Sequence, residues 1–119
     1  MAKLTIEGYG TFDVPEGKRL VKAIEDVGVD ILHRCGGFAR CTTCRVEFIE
    51  GEPQRQTVAE RDKLRDKGEL GIRLSCQCLV EDGMHVRVLN TLQSTGLDSP
   101  GNEPEDEITP QPEWVPLER

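Results

Sequence analysis

Four of the five cysteines in this sequence have the spacing of metal ligands. Cys35, Cys41 and Cys44 lie in one ten-residue loop, and 31 residues separate Cys44 from the fourth, Cys76. Thiolates are ligands of zinc and of iron–sulfur clusters. The chain shows no secretory signal, and an odd number of clustered cysteines is not typical of a secreted disulfide framework. The pattern predicts a metal centre in a reducing compartment, which we take to be the cytoplasm.

The grouping of three cysteines with a distant fourth distinguishes between the two kinds of centre. Plant-type [2Fe–2S] clusters use C-x4-C-x2-C and a remote cysteine; here the first interval is five residues. Structural zinc sites usually combine two short cysteine pairs, and a second pair exists here only if Cys76 and Cys78 form a C-x-C. A Rieske centre needs two histidine ligands, and His33 and His85 lack the required arrangement. We therefore expect a [2Fe–2S] cluster, with a structural zinc module as the alternative. The four predicted ligands are Cys35, Cys41, Cys44 and Cys76.

The residues around the cysteines suit a buried, negatively charged cluster. Gly36 and Gly37 permit positive φ and a close approach of backbone N–H groups to sulfur. Three arginines flank the loop and would offset part of the charge: Arg34, Arg40 and Arg45. A cluster with cysteine at all four positions has no open coordination site for a substrate. We therefore expect it to store and pass one electron rather than to catalyse a reaction.

Four further residues each have two interpretations. Cys78 is a small buried hydrophobe, or a stand-by ligand that shares a strand face with Cys76. His33 is an ordinary side chain beside the loop, or a group whose charge couples to the electron. Phe38 shields the cluster or contacts a partner, and Trp114 is either flexible or packed on the domain.

The elements that must position these residues follow from hydrophobic periodicity and turn residues. Strands are predicted at 3–7, 11–14, 45–49, 72–80 and 84–89. A helix is predicted from Leu20 to Val27, where Gly28 stops it. Thr57 and Glu60 have the spacing of a capping box that opens a second helix, ending before Gly68. This order predicts an α+β fold, in which a mixed sheet packs against one main helix.

The acidic residues are concentrated at the C-terminal end. Residues 95–119 hold seven acidic residues against one arginine, whereas residues 1–94 hold fifteen acidic and fourteen basic residues. Five of the seven prolines also lie in 95–119. We therefore predict a domain over 1–94 and an extended acidic tail over 95–119, flexible or wrapping around the domain. The composition argues against a nucleic-acid partner, and no apolar run is long enough to span a membrane.

The cysteine loop with its two glycines, together with the stretch Arg73-Leu-Ser-Cys76, resembles [2Fe–2S] ferredoxins of the plant and adrenodoxin superfamily. The five-residue first interval resembles the adrenodoxin and bacterial branch more than the plant branch. The resemblance covers about residues 3–90 and implies a β-grasp fold. It also implies that Cys35 and Cys41 bind the outer iron, where the electron mainly resides, while Cys44 and Cys76 bind the inner iron.

The same resemblance implies a biological role. It predicts a soluble one-electron carrier, not an enzyme, that accepts electrons from a ferredoxin reductase. The acceptor would be a redox protein such as an oxygenase or a cytochrome P450, and the carrier is expected to be a monomer. The alternative is a dedicated cluster-bearing component of an oxygenase or of an iron–sulfur assembly complex.

Overall fold

A computed structural model describes residues 1–29, 31, 44–68, 71–89, 107–108 and 111–117 of the protein. These described residues form seven strands, two helices and one 3₁₀ turn. In chain order they are β1 (Ala2–Ile6), β2 (Gly10–Val14), α1 (Leu20–Asp26), β3 (Arg45–Glu50), β4 (Arg55–Thr57), α2 (Val58–Lys67), β5 (Arg73–Leu74), the 3₁₀ turn (Ser75–Gln77), β6 (Met84–Val88) and β7 (Trp114–Pro116).

The main sheet has five strands among the described residues, in the order β2-β1-β6-β3-β5. β1 pairs with β2 as an antiparallel hairpin and with β6 as a parallel neighbour. β3 pairs antiparallel with both β6 and β5. Leu4 and Ile6 of β1 are fully buried, as expected for apolar residues that alternate along a strand with one face on the core. The mixed sheet and its helix confirm the α+β prediction.

Helix α1 contributes one apolar face to the same core. Leu20, Val21, Ala23 and Ile24 are all buried and pack in one cluster with the side chains of the sheet. Burial of each larger side chain contributes about 1.5–3 kcal/mol relative to exposure. The helix ends just before Gly28, whose φ of 98° is a conformation that glycine adopts without strain. No helix in the described ranges is long and apolar enough to cross a membrane.

Helix α2 begins and ends at the predicted residues. The Thr57 side chain accepts a hydrogen bond from the backbone N–H of Glu60 at 3.1 Å, and the helix stops at Gly68 with a φ of 67°. The second half of the predicted capping box is wrong. The Glu60 carboxylate does not return to the helix start, because it binds the guanidinium of Arg73 instead.

The strand predicted over residues 72–80 is also wrong in extent. Pairing with β3 stops after Leu74, and the chain then forms the 3₁₀ turn. Ser75 N–H still donates to the carbonyl of Cys44 at 3.1 Å, in register with the β3–β5 ladder, and Ser75 Oγ donates to the same carbonyl at 2.8 Å. The alternation of the strand ends there, because Ser75 is the first residue of the 3₁₀ turn. The shared strand face expected for Cys76 and Cys78 is therefore absent.

Part of the predicted tail forms a strand on the domain. β7 pairs antiparallel with β4, and Leu117 N–H donates to the carbonyl of Gln54 at 2.9 Å. Pro116 lies opposite Arg55 in the register, between hydrogen-bonded pairs. A proline at such a position removes no hydrogen bond from the ladder.

Two side chains show how the C-terminal residues contact the domain. Ile108 is only 6% exposed. The ring of Trp114 lies 4.3 Å from the guanidinium carbon of Arg55, within the range of a cation–π interaction. Of the two interpretations of Trp114, the structure shows the contact with the domain.

Candidate metal centre

Two of the four predicted ligands, Cys44 and Cys76, are brought together by Ser75, the first residue of the 3₁₀ turn. Cys44 directly precedes β3, and Cys76 lies in the 3₁₀ turn. Both side chains are buried. The double hydrogen bond from Ser75 to the Cys44 carbonyl joins the two backbone segments. The end of the cysteine loop is thus held beside the distant fourth cysteine, as the sequence pattern requires.

The sulfur of Cys76 faces a donor whose orientation is set by a neighbouring hydroxyl. Gln77 Nε2 donates to Cys76 Sγ at 3.7 Å. The other end of the Gln77 amide, Oε1, accepts from Thr57 Oγ1 at 2.7 Å. Thr57 Oγ1 already accepts from the N–H of Glu60, so its hydrogen is available for Gln77. The amide group therefore presents its NH₂ end to the sulfur, which favours a thiolate there.

The carbonyl of Cys76 is bound by a buried arginine. Arg19 is 0% exposed, and its Nε donates to Cys76 O at 2.7 Å. Its NH1 donates to the carbonyl of Glu107 at 3.1 Å. The backbone around Arg19 also pairs with the segment after the turn, since Leu20 N–H donates to Cys78 O at 2.8 Å. The side chain of Arg19 and the backbone next to it thus both restrain the turn that carries Cys76.

A second buried arginine, Arg73, also supports this turn. Arg73 Nε donates to Glu60 Oε2 at 2.9 Å, and NH2 donates to Oε1 at 3.1 Å. Glu60 Oε2 also accepts from the N–H of Leu74 at 2.7 Å. Burial raises the pKa of Glu60, while the hydrogen bonds and charge of Arg73 act in the opposite direction. The pair connects helix α2 to the residue that precedes Ser75.

Cys78 has the surroundings of a buried thiol. Its Sγ lies 3.5 Å from the carbonyl of Leu74, an acceptor that a thiol can reach and a thiolate cannot use. Burial is the main cause that raises the pKa of Cys78 well above its usual range. The geometry favours the small-hydrophobe interpretation over that of a stand-by ligand.

Some of the remaining predicted residues lie within the described ranges, and others lie outside them. Arg45 begins β3 and is partly buried. His85 lies on β6, and its Nε2 is 2.7 Å from Glu7 Oε2. The predicted residues outside the described ranges are His33, Arg34, Cys35, Gly36, Gly37, Phe38, Arg40 and Cys41.

Sequence reasoning missed Arg19, Glu60 and Gln77. Only Arg19 carried a signal, because a cation directly before a helix is disfavoured by the helix dipole and so requires another partner.

The described residues fit a sulfur-ligated cluster. Cys44 and Cys76 are buried and adjacent to Ser75, and an amide donor faces the Cys76 sulfur, as a thiolate ligand requires. Among the residues described, no group of three or more histidine, cysteine or acidic side chains forms a separate metal site. The full set of four ligands stays a prediction, because Cys35 and Cys41 lie outside the described ranges.

Comparisons with known proteins agree on the nature of the domain. The model of a family described as "2Fe-2S iron-sulfur cluster binding domain" matches residues 4–81. Terpredoxin of Pseudomonas sp is 37% identical over 94 residues, which cover 68% of this chain and 86% of terpredoxin. One component of the Na⁺-translocating NADH-quinone reductase of Methylococcus capsulatus is 31% identical over 86 residues, 72% of this chain. Those residues are only 21% of that component, so the chain spans about a fifth of that relative.

The same agreement holds among solved structures. One chain in the crystal structure of the covalent putidaredoxin reductase–putidaredoxin complex superposes with a TM-score of 0.55 at 28% identity. The match covers 73% of this chain and 97% of that chain. Together with the sheet order described above, this likeness confirms the β-grasp fold.

Proposed function

Because the chain belongs to the family of 2Fe-2S iron–sulfur cluster binding domains, we propose that it is a one-electron carrier with a single [2Fe–2S] cluster. Such a cluster, when bound, accepts and releases one electron. The ligands that we propose are the thiolates of Cys35, Cys41, Cys44 and Cys76. The observation that carries the proposal is the buried, hydrogen-bonded placement of Cys44 beside Cys76.

We further propose that the chain is a carrier and not an enzyme. Four cysteine ligands leave no coordination position at which a substrate could bind. The contribution of the described residues is to hold thiolates, present N–H donors to them and keep water out. Gln77 donates to the sulfur of Cys76. The hydrogen bond from Ser75 to the Cys44 carbonyl joins the backbone segments that carry Cys44 and Cys76. These are the means by which a protein sets the potential of a cluster.

The partners follow from the relatives and remain part of the proposal. Putidaredoxin forms a complex with putidaredoxin reductase, and this supports a ferredoxin reductase as the electron donor here. The acceptor that we propose is a redox protein such as an oxygenase or a cytochrome P450. We place the carrier in the cytoplasm as a monomer, with neither nucleic acid nor membrane as a partner.

The decisive experiment is to purify the protein anaerobically, to assay iron, acid-labile sulfide and zinc, and to record EPR spectra before and after dithionite. We expect about two irons and two sulfides per chain. The oxidised protein should give no EPR signal, and the reduced protein should give the signal of one unpaired electron. Zinc without sulfide would contradict the proposal and would support the structural zinc module.

A second candidate function is supported by one observation. The matching residues make up only 21% of one component of a larger enzyme, so the domain also fits the role of a cluster-bearing module dedicated to one complex. Stopped-flow mixing with a ferredoxin reductase separates the two. A freely diffusing carrier is reduced with a rate that rises with reductase concentration. A dedicated module is reduced at a rate that does not rise with reductase concentration. It also co-purifies with one partner in a fixed ratio.

A further inference from the structure

We propose that the C-terminal strap, defined as residues 107–108 and 111–117, holds the Arg19 guanidinium against the backbone of Cys76 and so raises the reduction potential of the cluster. Arg19 would be a positioning residue whose charge acts on the site without binding it. The inference rests on the proposed function, because it assumes that Cys76 is a cluster ligand. It adds a role for a part of the chain that the family model, ending at residue 81, does not include.

The first step is the location of Arg19. A fully buried guanidinium directly before helix α1 is costly, because it loses its hydration and faces the positive end of the helix dipole. Specific hydrogen bonds must compensate for this cost. One of them is the 2.7 Å bond to the carbonyl of Cys76, which places the charge within one residue of a predicted ligand.

The second step is the strap. The carbonyl of Glu107 accepts from the opposite side of the Arg19 guanidinium at 3.1 Å. The next residue, Ile108, is buried. Further along, β7 is anchored to β4, with Val115 opposite Gln56 in the register. The strap thus supplies a hydrogen bond to Arg19, and its attachment to β4 lies on a different element from the turn of Cys76.

The third step is electrostatic. Reduction adds one negative charge to the cluster, and a positive charge held nearby stabilises the reduced form more than the oxidised form. The interaction is stronger in a water-excluded interior than at the surface. Arg19 is fully buried and the strap accepts one of its hydrogen bonds, so a strap that holds it in place strengthens the effect of its charge. Removing the charge should lower the potential, and loosening the strap should do the same to a smaller extent.

The test measures the potential of full-length variants by redox titration followed by EPR. Arg19→Gln should reduce the equilibrium constant for reduction about tenfold, which is about 59 mV for one electron. Arg19→Lys should retain most of the wild-type potential because it keeps the charge. The control is Lys3→Gln, which removes a charge from the exposed surface of β1, three strands away from β5 in the sheet order. This control should leave the potential unchanged.

The role of the strap is tested with Arg19 intact. Val115→Pro removes a backbone N–H at a hydrogen-bonded position of β7, whereas Val115→Ala keeps it. We expect the proline variant alone to lower the potential, and to speed amide hydrogen exchange in β4 of the apoprotein as well as the holoprotein. If Arg19→Gln fails to assemble a cluster, the Val115 pair decides the question by itself.

The outcomes separate this inference from the proposed function. A wild-type protein that takes up no electron reversibly would refute the carrier proposal. A reversible wild type would instead refute the inference if Val115→Pro, and Arg19→Gln where it assembles, have the potential of their controls. A lower potential in Arg19→Gln that Arg19→Lys also shows would indicate a packing effect and would overturn the role of the charge.

Discussion

Cys76 and Cys78 are the same residue type two positions apart, yet their hydrogen-bond partners differ. The sulfur of Cys76 receives an amide donor from Gln77, and its carbonyl receives the Arg19 guanidinium. The thiol of Cys78 instead points to the carbonyl of Leu74, an acceptor that favours its protonated form. The 3₁₀ turn creates this difference, because it ends the alternation of the strand between Leu74 and Cys78. Local backbone geometry thus decides which cysteine is suited to be a thiolate ligand.

The two cysteines should therefore respond differently to alanine. Cys76→Ala removes a ligand and should abolish the two-iron, two-sulfide stoichiometry. Cys78→Ala should retain full iron and sulfide and lose only about 1 kcal/mol of stability through a small cavity. Iron and sulfide assays with urea unfolding measure both effects. An intact cluster in the Cys76→Ala variant would mean that Cys78 acts as a stand-by ligand after all.

The buried pair of Glu60 and Arg73 makes a second prediction at this scale. Glu60→Gln leaves the Arg73 charge buried with weaker partners, and such a loss typically costs about 3–5 kcal/mol. Asp62→Ala on the same helix is the matched control, because Asp62 is exposed in its ion pair with Arg61 and its loss should cost less than about 1 kcal/mol. Urea unfolding of both variants provides the comparison. Equal, small effects would show that the pair is not a significant support of the turn.

Single residues were predictable from sequence only where their type is restricted by chemistry. The cysteines are such a case, because their spacing alone predicts a metal site, and that set of four ligands stays a prediction. Glu60 was read as a helix-capping residue, because its spacing from Thr57 fits that role and nothing local reveals a partner 13 residues away. Gln77 was missed for the same reason, since its amide is oriented by Thr57, 20 residues earlier.

At the scale of elements, the connection from β3 to β4 is more constrained than its sequence suggests. The pairing of β3 with β6 shifts register between Phe48 and Glu50, as expected at a β-bulge. Gly51 follows with a φ of 76°, and a Cβ atom there would lie 2.7 Å from the carbonyl oxygen of Gly83. The bulge and the glycine together bring the chain against the turn before β6.

Gly51→Ala tests this close approach. The variant should be destabilised both by the positive φ and by the clash with the backbone of Gly83. Gly8→Ala is the control, because Gly8 has a φ of 84° and open space at the Cβ position. We expect about 1–2 kcal/mol for the control and about 1–3 kcal/mol more for Gly51→Ala. Equal losses in thermal or urea unfolding would contradict the proposed clash.

Elements were predicted well where a local pattern determines them. The β1–β2 hairpin follows from alternation around a glycine turn, and both ends of helix α2 follow from Thr57 and Gly68. The strand over 72–80 was overpredicted because the chain enters a 3₁₀ turn at Ser75, which no local pattern shows. The division of the chain at residue 94 stays a prediction.

At the scale of the whole molecule, the sheet is closed by residues that are far apart in sequence. β1 pairs with β6 in the centre of the sheet, with Leu4 beside Met84. Cys44 and Cys76 belong to the same buried cluster as these strands. The candidate metal centre is therefore continuous with the hydrophobic core, and binding of the cluster should be coupled to the stability of the domain.

Removal of the cluster tests this coupling. The apoprotein should unfold at a lower urea concentration than the holoprotein, because binding to the folded state alone adds stability. Amide exchange of Ser75, whose N–H binds the Cys44 carbonyl, should accelerate most, while the buried Ile6 of β1 should stay protected. Uniform acceleration throughout the sheet would instead show that the core depends on the cluster as a whole.

The late position of the C-terminal strap in the chain also has a consequence for biosynthesis. The ribosome makes Arg19 and Cys76 well before Glu107 and β7, and at about 5–20 residues per second the interval lasts seconds. During that interval the guanidinium of Arg19 lacks its bond to Glu107, and the turn that carries Cys76 is less restrained. We therefore expect a chain that has not yet formed the strap to hold the turn of Cys76 less firmly than the complete fold does.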